Sequence, residues 1–183
     1  MITSEQQIGR LKSIEQFSAR AYGDGKGHSS IGYGHQIQSN EGQLLLGSIT
    51  QAFAEQLMRN DIAPLEDQIN NNLSASPSQN QFDALIDFGF NCGGGALDKV
   101  IITWNNSGGD TSPVTAEIGQ YVKWHNTKTG VLENNADLES RRAMEITLFN
   151  SILPPVLAGL VASPAVPLIA VCVFGLAIFY IFS

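Results

Sequence analysis

The chain has 183 residues, 43% of them hydrophobic, enough for one domain with its own core. A formal charge of −7, with only 10 Lys and Arg and no basic run beyond Arg141–Arg142, excludes a nucleic-acid-binding surface and favours a neutral or weakly charged polymer as large ligand. The two cysteines, Cys92 and Cys172, make no disulfide framework, and no metal-ligand spacing is present.

The N-terminus, "MITSEQQIGRLKS", lacks an apolar region and is not read as a cleavable signal peptide. Thr3 to Gln6 matches a capping box, and Ile8, Leu11 and Ile14 follow at helical intervals, which predicts a helix ending near Glu15. Glycine-rich residues 22–36 predict a β-hairpin. After a polar loop at 38–49, Thr50 is placed to cap a connecting helix of about twenty residues, or ~30 Å. Its apolar residues are Ala52, Phe53, Leu57, Ile62, Leu65 and Ile69, and Pro64 is a point of interruption. Ser78 and Gln81 form a second capping box. Behind it Phe82, Leu85, Ile86, Gly89 and Phe90 share one helical face, ended by "NCGGG". Ser112-Pro113 opens another helix, with Ile118, Tyr121 and Val122 inward, and a last one runs from near Asp137 to near Asn150.

The opening stretch carries the chemistry. Glu15 closes a helix between apolar Ile14 and Phe17, Asp24 sits in a glycine-rich turn, and Ser30 begins "SIGYGH". Glycosidic cleavage needs one carboxylic acid kept protonated, which an apolar setting favours, and a second kept ionised to activate water. Ser30 has the hydroxyl to hold that water. Spacing alone does not make these residues catalytic, because a helix-end glutamate and an aspartate before glycine are ordinarily solvated.

The whole string resembles the phage-type lysozymes, glycoside hydrolase family 24. The family opens with its acid on a helix, then "AY-x-D", then "G-x-x-T-I-G-Y-G-H"; here Glu15 falls on the acid, Asp24 on the aspartate and Ser30–His35 on "TIGYGH". Gln16 stands where the family has glycine, and Ser30 where it has threonine. "ITQAFAEQLMRND" is similar to the linking helix, "NQFDALIDFGFNCGGGAL" to the "Q-x-DAL-x-x-FAFN-x-G-x-GA" helix, and "LESRRAMEITLF" to the closing "GL-x-x-RR-x-x-E-x-x-LF".

The resemblance covers about 1–150. It implies an α+β, mainly α fold of two lobes, about 1–60 and about 70–150, with the small sheet in the first. It also implies cleavage of peptidoglycan at the β-1,4 bond after N-acetylmuramic acid, with inversion. Glu15 is then the acid, and Asp24 and Ser30 position the attacking water. Arg141 or Arg142, with Arg141 preferred, reaches Glu15, while the other arginine pairs with Glu145. Asn91 lies by the cleft, and His35 is a structural histidine bonded between the lobes. No metal or organic cofactor is implied.

The remaining segment, 151–183, contains no charged residue. Ser163-Pro164 starts a stretch over 164–182 of about 19 apolar residues, ~28 Å as a helix, which predicts a C-terminal transmembrane helix in a lipid bilayer. The competing arrangement is a helical hairpin packed on the domain. An anchored muramidase fits a host inner membrane, with the domain facing the wall, or a phage virion membrane, where other virion or membrane proteins are its neighbours. Two other functions remain compatible with the residues: a lytic transglycosylase on the same fold, and a non-catalytic structural virion protein.

Overall fold

A computed structural model describes residues 1–23, 28–126 and 130–151. Asp24 and the predicted membrane helix at 164–182 lie outside them. Among the described residues, no helix is long and apolar enough to cross a membrane.

Helix α1, Glu5–Glu15, is capped by Ser4, whose hydroxyl accepts from the Gln7 amide. The expected cap, Thr3, is drawn elsewhere, since its amide and hydroxyl both donate to Glu66 Oε1, at 2.7 and 2.6 Å. Strands β1 (Ser18–Gly23), β2 (Ser29–Gly32) and β3 (His35–Gln36) form an antiparallel sheet in that order. It is one strand larger than the predicted hairpin, because the turn at Tyr33-Gly34 folds the chain back again, pairing Ser30 with Gln36 and Ile31 with His35. The polar loop holds a 3-10 helix, Ser39–Leu45.

Helix α2, Gln51–Asn72, starts at Thr50 as predicted and runs through Pro64 without ending there. Its inward face carries Ala54, Leu57, Met58, Ile62, Leu65 and Ile69. Phe53 is exposed, and Ala54 takes the inward position. The sheet needs a small residue there: a Cβ on Gly32 would lie 2.9 Å from Ala54 Cβ.

Helix α3, Gln79–Cys92, has the predicted Ser78/Gln81 capping box. It packs on α2, on α4 (Gly94–Asn106) and on α6 (Ala136–Phe149). Phe82, Leu85, Ile86 and Phe88 are fully buried on it, each contributing about 1.5–3 kcal/mol of burial. Helix α4, which the sequence reading left unassigned, adds Leu97, Val100, Ile101 and Trp104 to the same core, and Trp104 meets Phe149 of α6 edge to face at 5.2 Å. Helix α5, Ser112–Ile118, buries Val114 and Ile118 and ends before Tyr121 and Val122, which are half-buried in the following loop. A second, exposed hairpin of β4 (Lys123–His125) and β5 (Leu132–Asn134) leads into α6.

Polar contacts fix α1 against these helices. Ser4 bonds Asp83 of α3 through its amide and hydroxyl, and Gln7 Nε2 donates to Asp87 Oδ2 at 2.9 Å. The helix that ends in Glu15 is thus held against α2 and α3 as well as leading into the sheet.

Candidate active site

Glu15 is the last residue of α1 and is half-buried. The next residue, Gln16, has φ 56° and ψ 155°, a conformation that glycine alone adopts without strain. That turn directs the chain into β1. Phe17 then packs on Tyr33, centroids 5.7 Å apart, bringing the β2–β3 turn against the helix end.

The two oxygens of Glu15 have different surroundings. Oε1 accepts from Arg141 Nη1 of α6 at 2.8 Å. Oε2 faces Gly34: a Cβ there would lie 3.8 Å from it, and with φ +88° the turn itself requires glycine. One oxygen is therefore fixed, and among the described residues no hydrogen bond holds the other, which lies beside the bare backbone of Gly34.

Behind Glu15 lies a buried charge cluster. Arg141 Nε donates to Asp87 Oδ1 at 2.8 Å, and Glu145 Oε1 lies 3.6 Å from the same nitrogen. Asp87 Oδ2 also lies 3.4 Å from Arg10 Nε. Arg142, 1% exposed, donates from Nη2 to Glu145 Oε1 at 2.6 Å and to Asn91 Oδ1 at 2.9 Å, and stacks over Phe88 at 5.1 Å. Burial first, and then the Asp87 carboxylate, push Glu145 up to about 8, against the pull of Arg142. Burial also raises the Cys92 thiol.

The arginine that meets Glu15 is Arg141, and Arg142 pairs with Glu145 while holding Asn91. Ser30 lies in the middle sheet strand, 8% exposed, four residues before Gly34. His35 is held between two carboxylates. Its Nδ1 is 2.9 Å from Asp61 Oδ2 of α2 and its Nε2 3.0 Å from Glu41 Oε2 of the 3-10 helix, so it ties the sheet to those two elements. Burial opposes charge on His35, but the two carboxylates outweigh it and raise its pKa. The sequence does not mark Asp87, Gln7 or Gly34 as site residues, and it marks Glu145 only as an arginine's partner. The local signal for Asp87 is a charge set between Ile86 and Phe88 on a helix that also carries Asp83. No group of three or more His, Cys, Asp or Glu suited to a metal ion occurs among the described residues.

A mainly helical domain with a small sheet, and a helix-end glutamate held by a buried arginine, fits a lysozyme-like fold. The phage lysozyme family profile matches residues 12–145. The chain is 33% identical to the endolysin of Bacillus phage PZA over 156 residues, covering 84% of this chain but 57% of that protein. It is 32% identical to the endolysin of Acyrthosiphon pisum secondary endosymbiont phage 1 over 152 residues, covering 82% of this chain and 99% of that one. Among solved structures it is similar to the muramidase domain of SpmX from Asticaccaulis excentricus, with TM-score 0.69, 30% identity and coverage of 81% and 97%. The endolysin of Escherichia coli O157:H7 phage FAHEc1 gives TM-score 0.71, 25% identity and coverage of 84% and 96%. The chain belongs to the phage lysozyme family.

Proposed function

We propose that the chain is a phage muramidase that hydrolyses the β-1,4 bond between N-acetylmuramic acid and N-acetylglucosamine in peptidoglycan. The observation that carries the reading is the asymmetry of Glu15, with Oε1 bound by Arg141 and Oε2 beside Gly34 without a hydrogen bond from the described residues. Protonated on Oε2, Glu15 donates to the leaving glycosidic oxygen, and Arg141 stabilises the carboxylate that results. Asp24 activates the attacking water from the opposite face of the sugar, with the Ser30 hydroxyl holding that water, and the anomeric centre inverts. The cleft lies between lobes of about 1–60 and about 70–150 joined by α2, and Asn91 borders it from α3.

The apolar segment at 164–182 anchors the enzyme in a bilayer. The anchor places the domain either at the host inner membrane for lysis or on a lipid-containing virion for cell-wall penetration. Its support is the run of uncharged residues after Phe149.

Digestion of purified peptidoglycan, followed by mass analysis of the fragments, tests the reaction. Hydrolysis gives reducing muropeptides. An anhydro product lighter by one water identifies a lytic transglycosylase, and an intact wall identifies a structural protein.

A further inference from the structure

A general acid must begin each turnover with its proton on, yet Glu15 sits 2.8 Å from a guanidinium. The cluster behind Glu15 bears on this conflict. Asp87 is 0% exposed, and its Oδ1 takes the Arg141 Nε hydrogen at 2.8 Å. The same guanidinium therefore lies between two carboxylates, one facing the cleft and one buried.

Resting on the muramidase reading above, we propose that Asp87 is a positioning residue for Glu15: its carboxylate holds Arg141 Nε and shares the guanidinium's charge, so that the arginine presents Nη1 to one oxygen of the acid. Every group packed on Asp87 bears on that balance. From α1 come Gln7, whose Nε2 donates to Oδ2, and Arg10, whose Nε is 3.4 Å from Oδ2. From α6 come Arg141 and Glu145. On α3 itself Asp83 is one turn away and engaged with Ser4 and Gln79, and Asn91 is bound to Arg142. Glu145 is pushed towards its neutral form by its burial and by the Asp87 carboxylate. Gln7 and Arg10 belong to the helix that carries Glu15, so Asp87 fixes the acid's helix and the acid's arginine together. In the "Q-x-DAL-x-x-FAFN" pattern Asp87 occupies an unspecified position, so the resemblance assigns it nothing.

The test is the pH dependence of kcat on purified peptidoglycan. Asp87→Asn keeps the shape and removes the charge, leaving Arg141 to act on Glu15 alone. The alkaline limb then moves to lower pH by about half a unit or more. Arg10→Met, at a quarter-exposed position, removes a competing cation from Asp87. Asp87 then draws more of the Arg141 charge, and the limb moves to higher pH. Opposed shifts support the proposal, because a merely structural residue would lower kcat without moving the limb in opposite directions. Should Asp87→Asn fail to fold, the upward shift of Arg10→Met decides. Unmoved limbs, or shifts of the same sign, overturn the proposal while leaving the muramidase reading intact. A wild-type enzyme that releases no reducing muropeptides overturns both.

Discussion

Arg141 Nη1 lies 2.8 Å from Glu15 Oε1, joining the last helix of the domain to the end of the first across 126 residues of chain. An exposed pair of this kind is worth little, but Arg141 is 7% exposed and held again by Asp87. The pair fixes the orientation of one carboxyl group. It therefore belongs to the construction of the site more than to stability.

The backbone after that carboxyl is strained. Gln16, at φ 56° and ψ 155°, occupies a region that costs a residue with a side chain about 1–3 kcal/mol. Gln16→Gly relieves the strain and gives back only about 0.5–1 kcal/mol in chain entropy. The variant is expected to melt at higher temperature than wild type. A lower melting temperature would mean that the Gln16 side chain makes contacts that outweigh the strain.

Gly34 lies beside Oε2 of Glu15. In Gly34→Ala the added methyl meets Oε2 at 3.8 Å, an ordinary contact, and the φ of +88° costs about 1–2 kcal/mol. The fold is expected to persist while wall cleavage, measured well below the melting temperature, falls more than about tenfold. In Gly32→Ala the new Cβ meets Ala54 Cβ at 2.9 Å, so stability suffers first. Full activity in Gly34→Ala would show that substrate does not approach Oε2 from that side.

Glu145 gives the domain a pH-dependent stability. Its folded pKa is raised from an ordinary 4.5 to about 8, so between those values the folded protein holds a proton that the unfolded chain has lost. Stability attributable to this group therefore falls as pH rises across that window, by up to about 1.4 kcal/mol per pH unit, and levels off above it. Glu145→Gln mimics the protonated acid. Urea unfolding should find it equal to wild type near the acid end of the window and more stable at the alkaline end. The same difference at both ends would contradict the assignment.

What was legible in the sequence was mostly local. Ser78 with Gln81, and Thr50, announce helix starts because their partners are three residues away. The cap at α1 shifted from Thr3 to Ser4 because Glu66, 63 residues on, takes the Thr3 hydroxyl. Helix α4 was obscured by Gly93 to Gly95 and the β-branched run from Val100 to Thr103, although Leu97, Val100, Ile101 and Trp104 do recur at helical spacing. The hairpin of β4 and β5 is exposed throughout, apart from half-buried Glu133, and so carries little alternation. At the site, Glu15 and Arg141 stood out through the family motifs. Nothing in the sequence links Asp87 with Gln7, and only the packing of α1 on α3 brings them together.

The described chain closes at Ser151, whose carbonyl accepts from Asn80 Nδ2 at 3.0 Å. Truncation after Ser151 keeps this bond and the buried Phe149, and should give a soluble domain that still cleaves peptidoglycan. The full-length chain is expected to need detergent, and to stay with membranes through high salt and alkaline washing, as an apolar span of that length favours insertion. Release of the full-length protein by salt alone would contradict the anchor.

The central claim is that Glu15 supplies the proton. Its most direct test is the rate at which Glu15→Gln clears purified cell walls, compared with wild type, once circular dichroism and melting temperature show the fold intact. The account predicts a loss of at least about 100-fold. Clearance at the wild-type rate would contradict it.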